Sequence, residues 1–89
     1  MLKLIIVNRF EKDLKLAIKR KKDFTKLTII IELLKNNKSL DRKFKNHKLQ
    51  GNYNGYWECH IESDWLLIYK KTKEEIILTR TGTHSDLFK

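Results

Sequence analysis

"GYWECHIESDWLLIYK", residues 55–70, divides into an alternating stretch from Trp57 to Glu62, a polar break at Ser63-Asp64, and an apolar run from Trp65 to Tyr69. Alternation has the two-residue period of a half-buried strand. A short polar break between two such runs is a tight turn, so the stretch predicts a β-hairpin. The second strand is apolar at every position, as a central strand covered on both faces would be. Cys59 alternates with Trp57 and Ile61 on the apolar face, and Glu58 shares the other face with His60. A histidine beside the turn and an aspartate within it raise a question. Is this hairpin only structural, or does it carry chemistry?

The hairpin continues downstream into a meander. Trp65–Lys71 is followed by "TKE" as a second turn and by a strand over Glu75–Thr81; the tail "GTHSDLF" begins at Gly82. Upstream, "LKLIIV" predicts a first strand rich in β-branched residues. Asn8 offers an N-cap, with Glu11 at the capping-box position, for a helix from Arg9 to about Lys22. Phe10, Leu14, Ala17 and Ile18 form its apolar stripe, opposite Lys12, Lys15, Lys19 and Lys22, while Leu16 breaks the pattern. Asp23 caps a second helix, Phe24 to about Asn36, that buries Phe24, Leu27, Ile30, Ile31 and Leu34. Ile29 and Leu33 extend its apolar character, which fits a helix sandwiched between the first helix and a sheet. "NNKSLDRKFKNHKLQGNYNG", residues 36–55, is a long basic connection anchored by Leu40, Phe44 and Leu49. Connections of that length are often functional. The expected fold is α+β: two helices of the N-terminal half on an antiparallel sheet, in the order β-α-α-β-β-β, as a single domain over residues 1–89.

Eighty-nine residues with 40% apolar content suffice for one small core, in which roughly 60% of the chain's surface is buried. The run from Leu2 to Val7 is too short for a signal or membrane segment, so no membrane partner is expected. The lone Cys59 excludes an internal disulfide framework and fits a cytoplasmic location. Net charge is +9, and it is lopsided: residues 1–50 carry fifteen Lys/Arg against five Asp/Glu, residues 51–89 five against six. Such a cationic half attracts a polyanion at long range, either a nucleic acid or an acidic protein, although a lysine-rich chain also uses Lys simply to stay soluble.

The chemistry is narrowed by what is missing. No pair among the three histidines and the cysteine has metal-ligand spacing, so neither metal nor cofactor is expected. Cys59 lies on the apolar face, and there is no Gly-x-Ser-x-Gly elbow or phosphate-cradling glycine loop. What remains is acid–base work on a substrate that brings its own nucleophile, as RNA does with its 2′-hydroxyl. That needs a base, an acid and a cation against developing phosphorane charge. His47, His60 and His84 suit the proton roles, and Arg80 lies on the last strand four residues before His84. Taken singly, each has an ordinary structural reading: an exposed polar residue, a turn former at Asp64, a core aromatic at Trp65, an ion-pair member at Arg80. Spacing alone does not bring them together.

Three motifs do more. H-x-L-x-G at His47, H-x-x-x-D-W-x-L-x-Y at His60 and R-x-G-x-H-x-x-L-F at Arg80, in that order, resemble the YafQ branch of the RelE/ParE superfamily of bacterial type II toxins. The likeness runs over essentially the whole chain. It implies a messenger-RNA endonuclease acting in the ribosomal A site without metal, silenced by a cognate antitoxin and meeting DNA only through the toxin–antitoxin complex. Position by position, His47, His60, Asp64 and His84 match that branch's acid–base set, and Arg80 its phosphate-stabilising arginine. Trp65 and Phe88 match aromatics that shape the site and contact substrate, and Glu58 matches an acidic position of secondary rank. His84 is the expected general acid, with the base open among Asp64, His60 and His47. The lysines of the first helix, with Arg42, Lys43, Lys45 and Lys48, are expected to hold RNA backbone. Ser63 stands where relatives often have proline. The RelE branch proper uses lysine, arginine and tyrosine instead of this histidine set. The alternatives are a non-catalytic ParE-like toxin acting on gyrase, which has no use for the histidines, and a basic RNA-binding module without activity.

Overall fold

The computed structural model describes residues 1–88. The chain runs β1 (Lys3–Ile6), α1 (Asn8–Lys19), α2 (Thr25–Lys35), β2 (His47–Lys48), β3 (Trp57–Glu62), β4 (Trp65–Lys71), β5 (Glu75–Gly82) and α3 (His84–Leu87). Single 3-10 turns occupy Arg42–Phe44 and Gly51–Tyr53. The five strands form one sheet in the order β1-β5-β4-β3-β2. The meander is antiparallel, as hairpin connections require, with Ser63-Asp64 as the two-residue turn between the paired Glu62 and Trp65.

Two features depart from the sequence-based expectation. The sheet is not wholly antiparallel, because β1 runs parallel to β5, pairing Lys3 with Glu75 through Ile6 with Leu78. A strand joined to the sheet through two helices is free to pair in either direction, unlike hairpin-linked neighbours. The long connection is also not irregular: it contributes β2, which pairs His47 with Glu58 and Lys48 with Trp57.

The α1–α2 face of the sheet holds the main core. Phe10, Ala17, Leu27, Ile30 and Leu34 of the helices pack on Cys59, Ile61, Trp65, Leu67, Tyr69, Ile76 and Leu78. Burial pushes the Cys59 thiol up to about 12, which leaves it inert as a nucleophile. Ile18 does not join this stripe. It is 60% exposed, because α1 ends at Lys19 and the chain turns through a left-handed Lys21. Asn8 likewise lies inside α1 rather than capping it; Val7 holds the cap position without a side-chain bond. Asp23 stands one residue before the cap position of α2, which Phe24 holds without a side-chain bond, although its carboxylate still accepts from the Thr25 N–H at 2.9 Å.

The opposite face carries a smaller cluster. Leu66 and Ile68 of β4 are covered by Leu87 of α3 and by Leu49, Tyr53 and Tyr56. The central strand is thus buried on both sides, with Trp65 through Tyr69 at most 2% exposed. Among the described residues, no helix is long and apolar enough to cross a membrane.

Candidate active site

Two register irregularities put polar groups on the α3 face. The β3–β4 pairing shifts between His60 and Glu62, and the β4–β5 pairing shifts between Ile68 and Tyr69, which leaves Thr79 as the extra residue. Bulges of this kind re-aim side chains. As a result Arg80, Ile68, Glu58 and His47 stand opposite one another on one rung across four strands, and Gly82, Leu66 and His60 form the next.

At the β2–β3 side of this face the groups form a continuous line. The Glu58 carboxylate, only 4% exposed, lies 3.3 Å from His47 Nε2 and 3.5 Å from His60 Nε2. The His60 ring meets the His47 ring at a centroid distance of 6.3 Å and the His84 ring, edge to face, at 5.7 Å. His47 Nδ1 lies 2.7 Å from the Lys45 carbonyl, so both nitrogens of that ring face oxygen atoms.

Asp64 ends the line. Its Oδ1 accepts the His84 backbone N–H at 2.9 Å and sits 2.6 Å from His84 Nδ1. These bonds, the backbone one first, lower the Asp64 pKa from its ordinary value. With Nδ1–H donated to a carboxylate, His84 keeps Nε2 free for proton transfer, the arrangement that fixes a tautomer in acid–base dyads. His84 opens α3, whose capping box joins Thr83 and Asp86: Thr83 N–H donates to Asp86 Oδ2 at 2.9 Å and Asp86 N–H to Thr83 Oγ1 at 3.1 Å. Arg20 of the α1–α2 loop clamps Asp86 at 2.7 Å and anchors the helix.

Arg80 lies two strands from Glu58, a separation of roughly 10 Å from strand spacing. It is held by Asp13 of α1, with Nε donating to Oδ2 at 2.8 Å. Hydrogen bonding to Asp13 outweighs burial, which acts the other way, and raises the guanidinium's already high pKa. Tyr53 lies against the same guanidinium and packs edge to face on Phe88 at 5.7 Å. Phe88 is 44% exposed and so presents an aromatic surface next to Tyr53.

The other expected residues divide. Trp65 is 1% exposed on the helix face, in edge contact with Phe24, and its Nε1–H has no partner. Its ring supports the sheet from behind and offers no surface to a substrate. Lys43 and Lys45 line a cleft of about 300 Å³ beside His60, together with Lys26, Phe44, Ile61, Glu62 and Ser63. Lys48 does not join them; it pairs with Trp57 and lies 5.5 Å over that ring, on the face away from His47. Sequence reasoning passed over Asp13, Lys26 and Tyr53. The only available signals were an acid set among the lysines of the first helix and a tyrosine between Gly51 and Gly55. Among the described residues there is no group of three or more His, Cys, Asp or Glu side chains arranged to hold a metal ion.

Comparison with known proteins identifies the family. The chain is 48% identical over 81 residues to the mRNA interferase toxin YafQ of Escherichia coli K12, covering 90% of this chain and 88% of that protein. Its structure matches a chain of the E. coli DinJ–YafQ complex with a TM-score of 0.93, at 43% identity and full coverage of both chains. A metal-bound toxin from Helicobacter pylori matches with a TM-score of 0.91, at 37% identity over 99% of this chain and 100% of that one. Residues 2–89 match the family model for YafQ, the bacterial toxin of type II toxin–antitoxin systems. On the family match and these relatives, the chain belongs to the YafQ family of type II toxins.

Proposed function

We propose that this chain is an endoribonuclease that cuts messenger RNA in the ribosomal A site by acid–base catalysis. The carrying observation is the line Asp64–His84–His60–Glu58–His47, which supplies proton donors and acceptors side by side at one end of the sheet. The 2′-oxygen attacks the adjacent phosphorus and the P–O5′ bond breaks, leaving a 2′,3′-cyclic phosphate and a 5′-hydroxyl. His84 Nε2 gives its proton to the departing 5′-oxygen. Asp64 is committed to two His84 hydrogen bonds, so it orients the acid. The base falls to His60, which contacts the His84 ring and shares Glu58 with His47. Arg80 meets the dianionic phosphorane, and the Lys26–Lys43–Lys45 cleft carries flanking backbone.

A cognate antitoxin completes the reading, as DinJ does for its YafQ partner in the E. coli complex. Against a +9 toxin, an acidic segment that folds on binding is the complementary chemistry.

The test is to add the purified protein to translating ribosomes, with and without EDTA under conditions that keep the ribosomes intact, and map the message ends. Cuts within the A-site codon bearing 2′,3′-cyclic phosphates, undiminished by the chelator, are expected. Intact messages together with inhibited gyrase would establish the ParE-like alternative instead, and cleavage that needs added metal would overturn the mechanism.

A further inference from the structure

Arg80 is not a free side chain waiting for phosphate. Its side edge is taken: Nε donates to Asp13 Oδ2 at 2.8 Å and one terminal nitrogen donates to Oδ1 at 3.4 Å. The carboxylate is itself fixed to the next residue of β5, where Thr81 N–H donates to Oδ2 at 3.1 Å. The partners are 67 positions apart in sequence and both mostly buried, with side-chain exposures of 16% for Arg80 and 10% for Asp13. This is a tertiary clamp and not one of the exposed ion pairs that contribute little.

A guanidinium has five N–H donors. Two face Asp13; of the remaining three, two lie on its end edge, where they can grip two phosphate oxygens at once. We infer that Asp13 is a positioning residue: by occupying the side edge of Arg80 it aims the end edge toward the histidine line, where the scissile phosphate sits in the ribonuclease reading on which this inference rests. A clamped arginine gives up no rotamer freedom when substrate arrives, and misplacement of such a group by about 1 Å can cost about 10²-fold in rate.

Charge alone predicts the opposite sign. Asp13 is an anion beside the cation that meets phosphate, so neutralising it should tighten RNA binding and, if Arg80 were a diffuse charge, speed cleavage. Asp13→Asn separates the two. The amide oxygen still accepts from Thr81, but the carboxylate grip on Arg80 is gone. Expected is a fall of about 10–10²-fold in kcat with KM unchanged or lower, because an interaction made in the transition state is lost while ground-state attraction is not. In an Arg80→Lys background, where there is no side edge to hold, Asp13→Asn should add nothing, since residues acting through one contact are not additive. Single-turnover rates on RNA, with a non-cleavable 2′-deoxy analogue for affinity, read both quantities.

An unchanged or faster kcat overturns the inference, as does an equal fall in the Arg80→Lys background. Should Asp13→Asn fold poorly in thermal melts, Asp13→Glu keeps the charge and displaces the carboxylate by one methylene, and the same drop in kcat is expected of it. Nitrogen-15 NMR supplies a readout that needs no cleavage. Arg80 Nε–H should give a slowly exchanging signal in the unaltered protein that disappears in Asp13→Asn. If no RNA is cut but that signal behaves as stated, the ribonuclease reading fails and the clamp stands; if the signal is absent, the clamp fails.

Discussion

His84 spends one ring nitrogen on Asp64 and keeps the other free, so its chemistry and its packing are separable. Its side chain is 54% exposed and contributes little to the core. His84→Ala should therefore lose about 10²–10⁴-fold in cleavage, the usual worth of a general acid, while its thermal midpoint stays at the unaltered value. Cleavage at the original rate would remove His84 from the acid role. Which residues could be identified from sequence follows the same division. His47, His60, Asp64, Arg80 and His84 are titratable or cationic groups at motif spacings, and the structure brings the four His and Asp members into one line. Asp13 could not be found that way, because its meaning depends on a partner 67 residues away. Trp65 is ambiguous for a related reason: an aromatic beside Asp64 looks the same in sequence whether the strand turns it outward or, as here, into the core.

At the scale of elements, the short α3 depends on a glycine. A Cβ added at Gly82 would sit 2.9 Å from both Cβ and Oδ2 of Asp86, closer than real contacts allow. Gly82→Ala must push α3 away, loosening the capping box, the Arg20–Asp86 clamp and the seat of His84. A lower melting midpoint and a large loss of cleavage are expected together. Thr83→Ala removes only the cap, worth about 0.5–2 kcal/mol, and should be the milder lesion in both assays; the reverse ranking would mean that α3 is not what seats His84. The same anchor sets an acid limit. The Arg20 hydrogen bond, ahead of the Thr83 N–H, holds the Asp86 carboxyl well below its ordinary 3.8. The unfolded chain therefore takes up the proton first, and the stabilisation, complete above 3.8, is lost as pH falls toward the folded value. Melting curves between about pH 2 and 5 should fall less steeply for Asp86→Asn than for the unaltered protein; parallel curves would contradict the clamp. The meander and both helices could be read from the sequence because their pairings and periodicities are local. The parallel pairing of β1 and the two-residue β2 could not, since each depends on a strand elsewhere in the chain, while α3 carried a local sign that went unread, the capping box of Thr83 and Asp86.

Across the whole molecule, the basic half of the sequence does not become one uniform cationic surface. Lys26, Lys43 and Lys45 gather at the cleft beside His60, whereas Lys48, adjacent to His47 in sequence, is carried to the opposite face by strand alternation. RNA binding should reveal this division through its salt dependence. Each lysine that neutralises a backbone phosphate releases condensed counterion, and for single strands the slope of log K against log salt is about −0.7 per contact. Replacing Lys26, Lys43 and Lys45 together by Ala should flatten that slope by about 2 for a single-stranded RNA carrying a 2′-deoxy block at the cleavage position. Lys48→Ala should leave it unchanged, although it removes the same unit of charge. The paired comparison decides between two origins of affinity. If the overall +9 simply draws a polyanion onto the protein, any lysine should count equally and Lys48→Ala will flatten the slope by a third as much as the triple variant. If the cleft beside His60 guides the backbone, only its own lysines will register, and the path of the RNA then runs through that cleft at the end of β3 to the histidines.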